Sequence, residues 1–287
     1  MEVIRPILLV SIFAIYGLVA VSGSKVELSP YVALKAVSIP KIDGKYDTTL
    51  AKAFDNIGNT IMVDEWNDTR RQRLYSYFSN GTLGGHAIAE FSMKLDESYL
   101  YVLIDFPTNA HPAYNPGKSG ELNIDGFSIA FDTKRDGGQL PQPDDYVFAI
   151  QYGPNIYAWY ARQGTGSGWS GVLDPSSPVY IGVQVNFGVS VTNNEFTGWP
   201  HILAEFRFPR TLFGSEGVRS RIFAYDLDTD MIALWPKEAL TTRVIDLYGD
   251  VTFSTQIIPE FSTFTTAPSS LIILLVLLST FKSRKRS

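Results

Sequence analysis

The fold class predicted by this 287-residue chain is all-β: a single antiparallel β-sandwich of immunoglobulin or jelly-roll type. Three observations carry that prediction. Between Ser29 and Phe253, short β-branched and aromatic runs alternate with clusters of Gly, Pro, Asn and Asp, the spacing of a sandwich. Helical periodicity is nearly missing. A hydrophobic content of 45% is ample to close one core.

The clearest strands are Tyr99 to Phe106, Gly126 to Phe131 and Tyr146 to Ile150. Val179 to Val191 and Phe196 to Phe208 predict two long ones, and Ala87 to Leu95, Asn155 to Arg162 and Arg221 to Tyr225 add three more. Tyr99 to Phe106 is apolar on both faces, as a central strand would be. Helical turns are expected only around Asp47 to Phe54 and at Pro209 to Phe213. Gly164 to Gly171 reads as a Gly/Ser-rich loop and Gln139 to Asp145 as a Pro-rich one. No linker divides the region, so one domain is expected over residues 24–258.

The two ends of the chain differ from this pattern. Ile7 to Val21 carries no charge and Ala20-Val-Ser22 offers a small-x-small cleavage site, so residues 1–23 read as a secretory signal peptide or, if uncleaved, an anchor. At the other end, Pro259-Glu260-Phe261 leads into Leu271 to Leu278 and then Lys282, Arg284, Lys285 and Arg286. Basic residues are retained on the cytoplasmic side, which places the preceding domain outside. The apolar stretch Thr263 to Phe281 has 19 residues, marginal for a permanent span of about 20, and Pro268 interrupts it.

This three-part order resembles the carboxy-terminal sorting signals of archaeal surface proteins handled by archaeosortases. The resemblance implies an archaeal source, an archaeosortase-like processing enzyme as partner, and replacement of residues 259–287 by a lipid. The other reading is a plain transmembrane helix with a basic tail. Both put the domain at the cell surface.

Residues 24–258 hold 19 basic and 27 acidic side chains, a formal charge near −8, which speaks against a nucleic-acid partner. The chain has no cysteine, which removes disulfides, thiolate metal sites and cysteine nucleophiles. Asn67-Asp-Thr69 and Asn80-Gly-Thr82 are glycosylation sequons, relevant in an exported glycoprotein.

Four segments in order form a further series: Ile42-Asp-Gly-Lys-Tyr-Asp47, Leu95 to Val102, Asp125 to Asp132, and Ala204-Glu-Phe-Arg-Phe-Pro209 with Leu212 and Gly214. The series resembles the family 9 carbohydrate-binding modules and the wider DOMON-like sandwiches, over about Ile39 to Val251. It implies a sandwich that binds carbohydrate without catalysis. The sequence departs from the family where Leu50 replaces the tryptophan usual after the first turn, and Arg70 to Asn80 is a strand-like stretch outside the pattern.

Three tryptophans are candidate ligand-binding residues. Trp169, in the Gly/Ser-rich loop, could offer its indole face to a sugar ring, with Trp159 or Trp199 as a second wall. Trp159 and Trp199 also follow strand patterns, which fits core residues equally. Asp226, Asp228 and Asp230 fall at i, i+2 and i+4 and so share one face if extended, a carboxylate set suited to calcium or to a solvated loop. Asp132, Asp136, Asp144 and Asp145 form a second acidic group bracketing a loop. His86, His111 and His201 make no metal spacing, and no serine elbow or phosphate-binding loop is present.

Three function classes follow. The first is a cell-surface, extracellular carbohydrate-binding protein with no catalytic residues and a glycan or oligosaccharide as partner. The second is a haem b electron-transfer domain of the same sandwich type, with Met93, Lys94 and Met231 as its sequence hooks. The third is a structural envelope or surface-layer component.

Overall fold

A computed structural model describes residues 31–36, 39–45, 48–54, 60–66, 69–78, 82–106, 115, 125–153, 156–191 and 200–255. Two four-stranded layers face each other. One runs β10 (Gln184–Val191), β11 (Pro200–Pro209), β6 (Tyr99–Phe106), β5 (Leu83–Leu95). The other runs β12 (Gly217–Asp226), β7 (Asp125–Asp132), β8 (Asp145–Gly153), β9 (Ile156–Gln163).

Two strand pairs join the layers. β1 (Tyr31–Lys35) and β14 (Gly249–Phe253) link the end of β5 to the start of β12, and β4 (Arg71–Phe78) and β13 (Met231–Trp235) link the remaining lengths of the same two strands. A separate hairpin pairs β2 (Thr48–Phe54) with β3 (Thr60–Asp64). Among the described residues, no helix is long and apolar enough to cross a membrane.

The all-β sandwich is therefore as expected, with two corrections. β1 runs parallel to both its neighbours, so the fold is not purely antiparallel. Residues 48–54 form β2 and not a helical turn, since hydrogen bonds to β3 satisfy a Thr-rich backbone that one turn of helix would leave mostly unpaired. The turn expected at Pro209 to Phe213 is present as a 3-10 helix over Arg210–Leu212. The stretch outside the family pattern is β4, and it closes the sandwich.

Alternation explains the core. On β7 the side chains of Phe127, Ile129 and Phe131 point inward, on β8 Phe148, Ile150 and Tyr152, and all six are buried. Phe208 of β11 reaches across the layers, its ring 5.1 Å from Phe131 and 4.8 Å from Phe148. Strand β6 is buried on both faces, because its outer residues Tyr101 and Leu103 are covered by Trp66.

The first and fourth family-like segments meet in space. Glu205 of β11, fully buried, accepts hydrogen bonds at Oε2 from the backbone N–H groups of Asp43 (3.0 Å) and Gly44 (2.8 Å), and at Oε1 from Trp66 Nε1 (3.0 Å). Gly44 has φ +74°, and a Cβ there would lie 2.3 Å from the Phe187 carbonyl carbon. Burial, with Glu65 nearby, pushes the Glu205 carboxyl up to about 8 against the pull of these donors.

Candidate functional site

The outer face of the second layer is concave for a reason visible residue by residue. Alternation places Gly126, Ser128 and Ala130 of β7 and Ala149 of β8 on that face, opposite their inward aromatics. Small side chains lower the middle of the sheet. Larger ones rise beside them: Gln151, Tyr160 and Arg162 on β8 and β9, Arg221 and Phe223 on β12. The result is a groove of about 980 Å³.

Two loops wall the groove. Gly164 to Ser170 folds into a tight hairpin, with Gly164 bridged to Trp169 and Ser170 N–H bonded to the Gln163 carbonyl at 2.8 Å. Glycine is required at 164, where a Cβ would meet the Gln142 carbonyl oxygen at 2.0 Å. The hairpin turns Trp169 back over the sheet, where its indole packs beside Ala130, Val147, Ala239, Ile245 and Tyr248. Its Nε1 donates to the Thr242 carbonyl (3.1 Å), which the Tyr248 hydroxyl also reaches (2.9 Å). This ties one wall to the other, since Leu240, Thr241, Thr242 and Arg243 line the opposite side.

Arg162 Nε and Ser128 Oγ are buried and have no hydrogen-bond partner among the described residues. Arg221, almost fully buried, donates from Nε to the Ala239 carbonyl (2.7 Å) and lies over the Phe223 ring at 4.7 Å. Arg162 lies over Tyr160 at 5.4 Å. Neither Asp nor Glu belongs to the groove lining among the described residues.

Of the sequence candidates, Trp169 lies in this groove and is partly buried in its wall. Trp159 does not join it. One residue from Tyr160 on β9, it points to the opposite face, packs against the main core and meets Tyr180 edge-on at 5.0 Å. Trp199, Asn67, Asn80, Pro259, Glu260, Phe261 and both terminal segments lie outside the described residues.

Asp226, Asp228 and Asp230 are not in an extended run, because β12 ends at Asp226 and a turn follows. Asp226 is buried and its Oδ1 accepts the N–H groups of Asp228 (3.0 Å) and Thr229 (3.3 Å). Asp230 accepts the Tyr225 hydroxyl at 2.9 Å while Asp228 is exposed. Among the described residues, the carboxylates that do gather oxygens within 4.8 Å are Asp132, Asp136 and Asp144 of the second acidic group. They sit outside the groove lining, with buried Asp132 accepting the N–H groups of Asp136 (3.2 Å) and Gly137 (2.9 Å). Burial raises the Asp132 carboxyl and pushes neighbouring Asp145 up to about 7.

The haem hooks do not converge. Met93 is buried in the main core, whereas Lys94, next on β5, points to the other face and lies 5.2 Å from the Trp66 ring. Met231, on β13, packs against the main core from its partly buried position.

Tyr160, Arg162, Ser128, Arg221 and Arg243 were not singled out from the sequence. A usable signal exists for two of them: Arg162 and Arg221 interrupt apolar strand patterns at outward positions, where a long cation must face something polar.

No protein-family model matches the chain, and no curated protein matches it. Two solved structures that resemble it are of a family 9 carbohydrate-binding module from Caldicellulosiruptor kristjanssonii. In complex with cellotriose it is 14% identical with a TM-score of 0.47, covering 79% of this chain and 94% of the module. In complex with glucose it is 16% identical with a TM-score of 0.46, covering 78% and 96%.

Proposed function

We propose that this chain is a non-catalytic glycan-binding protein held at the outer face of a cell membrane, and that the groove across β12, β7, β8 and β9 is its binding site. The observation that carries the reading is the pairing, along this outer face, of aromatic side chains with buried donors that have no hydrogen-bond partner among the described residues. Tyr160 and Trp169 offer apolar surface beside Arg162 Nε and Ser128 Oγ. A sugar ring has the same two-sided chemistry, an apolar face of C–H groups and a rim of hydroxyls. Unpaired buried donors are costly, and ligand hydroxyls would satisfy them.

The surface assignment rests on the apolar leader and the Pro-Glu-Phe, apolar, basic order of the tail. Affinity electrophoresis of the full chain through gels carrying different polysaccharides tests the binding reading. Retardation by at least one polysaccharide, reduced by Trp169→Ala, supports it, and mobility unchanged by every polysaccharide ends it. Cell fractionation with and without residues 259–287 tests the attachment, which requires the truncated chain to leave the membrane fraction.

A further inference from the structure

The geometry points to an acidic glycan, one carrying carboxylate or sulfate groups, as the class of ligand this groove takes. The inference rests on the groove being a glycan site and narrows what that site selects. Three guanidinium groups, Arg162, Arg221 and Arg243, line the groove, and no carboxylate lines it among the described residues. The chain carries a formal charge of −5, so a lining whose charged side chains, among the described residues, are all basic runs against its composition.

The three arginines are held in different ways. Arg221, on the outer face of β12, is buried beneath the segment that carries Ala239, bonded to the Ala239 carbonyl, and contributes fixed positive charge at the edge of the trough. Arg162 and Arg243 form no ion pair among the described residues. Arg243 is exposed at the rim, while Arg162 is partly buried with its Nε–H unpaired among the described residues. Neutral hydroxyls could satisfy one such N–H. They would leave the charge of a partly buried guanidinium unbalanced, whereas a carboxylate or sulfate offers two oxygens to its planar fork and cancels the charge as well.

The acidic group at Asp132, Asp136, Asp144 and Asp145 lies outside the groove lining. Asp132 and Asp145 are buried and turned to backbone N–H groups of their own loops, and the Asp144 carboxylate lies 3.6 Å from Lys134. A ligand in the groove therefore meets the arginines directly.

The test uses the full chain in mild detergent, against alginate, dextran sulfate, neutral dextran and cellohexaose, at 50 and 300 mM salt. The wild type is expected to bind alginate or dextran sulfate at least 10-fold more tightly than either neutral glycan, and more weakly at high salt. Arg162→Ala should weaken that binding about 10-fold or more, the range for a hydrogen bond to a charged group, and Arg243→Gln at the exposed rim about 2- to 5-fold. Whether alginate or dextran sulfate is preferred separates carboxylate from sulfate. Arg243 is exposed, so its variant folds normally, and thermal melts of both variants separate lost binding from lost structure.

Tight binding of a neutral glycan that both arginine variants keep and Trp169→Ala loses would overturn the acidic inference and leave the groove reading standing. Acidic-polymer binding that survives both substitutions would also overturn it. No binding to any of the four probes, or to the wider polysaccharide set, removes both readings together.

Discussion

Glu205 gives the fold a pH dependence whose sign can be worked out. Its carboxyl ionises near 4.5 in an unfolded chain and is pushed up to about 8 by burial in the folded one. Because the folded value is the higher, folding takes up a proton between these limits, and stability falls as pH rises from about 4.5 to about 8. At about 1.4 kcal/mol per pH unit the full displacement sets a ceiling near 5 kcal/mol. The three N–H donors at 2.8 to 3.0 Å already hold that value down to about 8, so the loss is on the order of a few kcal/mol and stays within this ceiling. In Glu205→Gln the amide oxygen can keep the Asp43 and Gly44 bonds, but its NH2 then faces the Trp66 N–H, costing about 1 to 3 kcal/mol at every pH. The variant should be less stable than wild type at pH 5 and equal or more stable at pH 8.5. Urea unfolding of residues 24–258 followed by tryptophan fluorescence across this range measures the difference. A wild-type advantage that stays constant or grows with pH would show that the donors win, and would refute the reasoning.

Other outcomes follow from the same structure. Residues 24–258 should express as a soluble β-rich monomer, and a helical circular dichroism signal above a third of residues would contradict the fold. Trp169→Ala should weaken glycan binding by about 1 to 3 kcal/mol and also lower stability by about 1 to 3 kcal/mol, because the indole packs on five neighbours as well as lining the groove. An unchanged melting temperature would show that the wall does not depend on it. Gly44→Ala should destabilise by about 2 kcal/mol or more through its positive φ and the clash with Phe187, and a neutral result in a thermal melt would count against the Glu205-capped turn. Asp226→Ala should cost about 1 to 2 kcal/mol by stranding two turn N–H groups, against less than about 0.5 kcal/mol for exposed Asp228→Asn; the reverse order in denaturant titrations would mean the triplet is not a backbone cap.

Local chemistry was enough to read the all-β class and most strand positions, because period-2 alternation and Gly/Pro/Asn/Asp punctuation are written along the chain itself. It sufficed for β6, whose apolar faces announced a central strand. Local patterns failed where pairing comes from far away. β2 has a sequence that permits a helical turn until β3 supplies its partner, and β4 acquires a role only by bridging β5 to β13. Trp159 and Tyr160 are neighbours in sequence, yet the pleat sends one into the core and the other into the groove. The basic lining likewise draws Arg162, Arg221 and Arg243 from three separate segments, and nothing short of the packed sheet brings their charges into one trough.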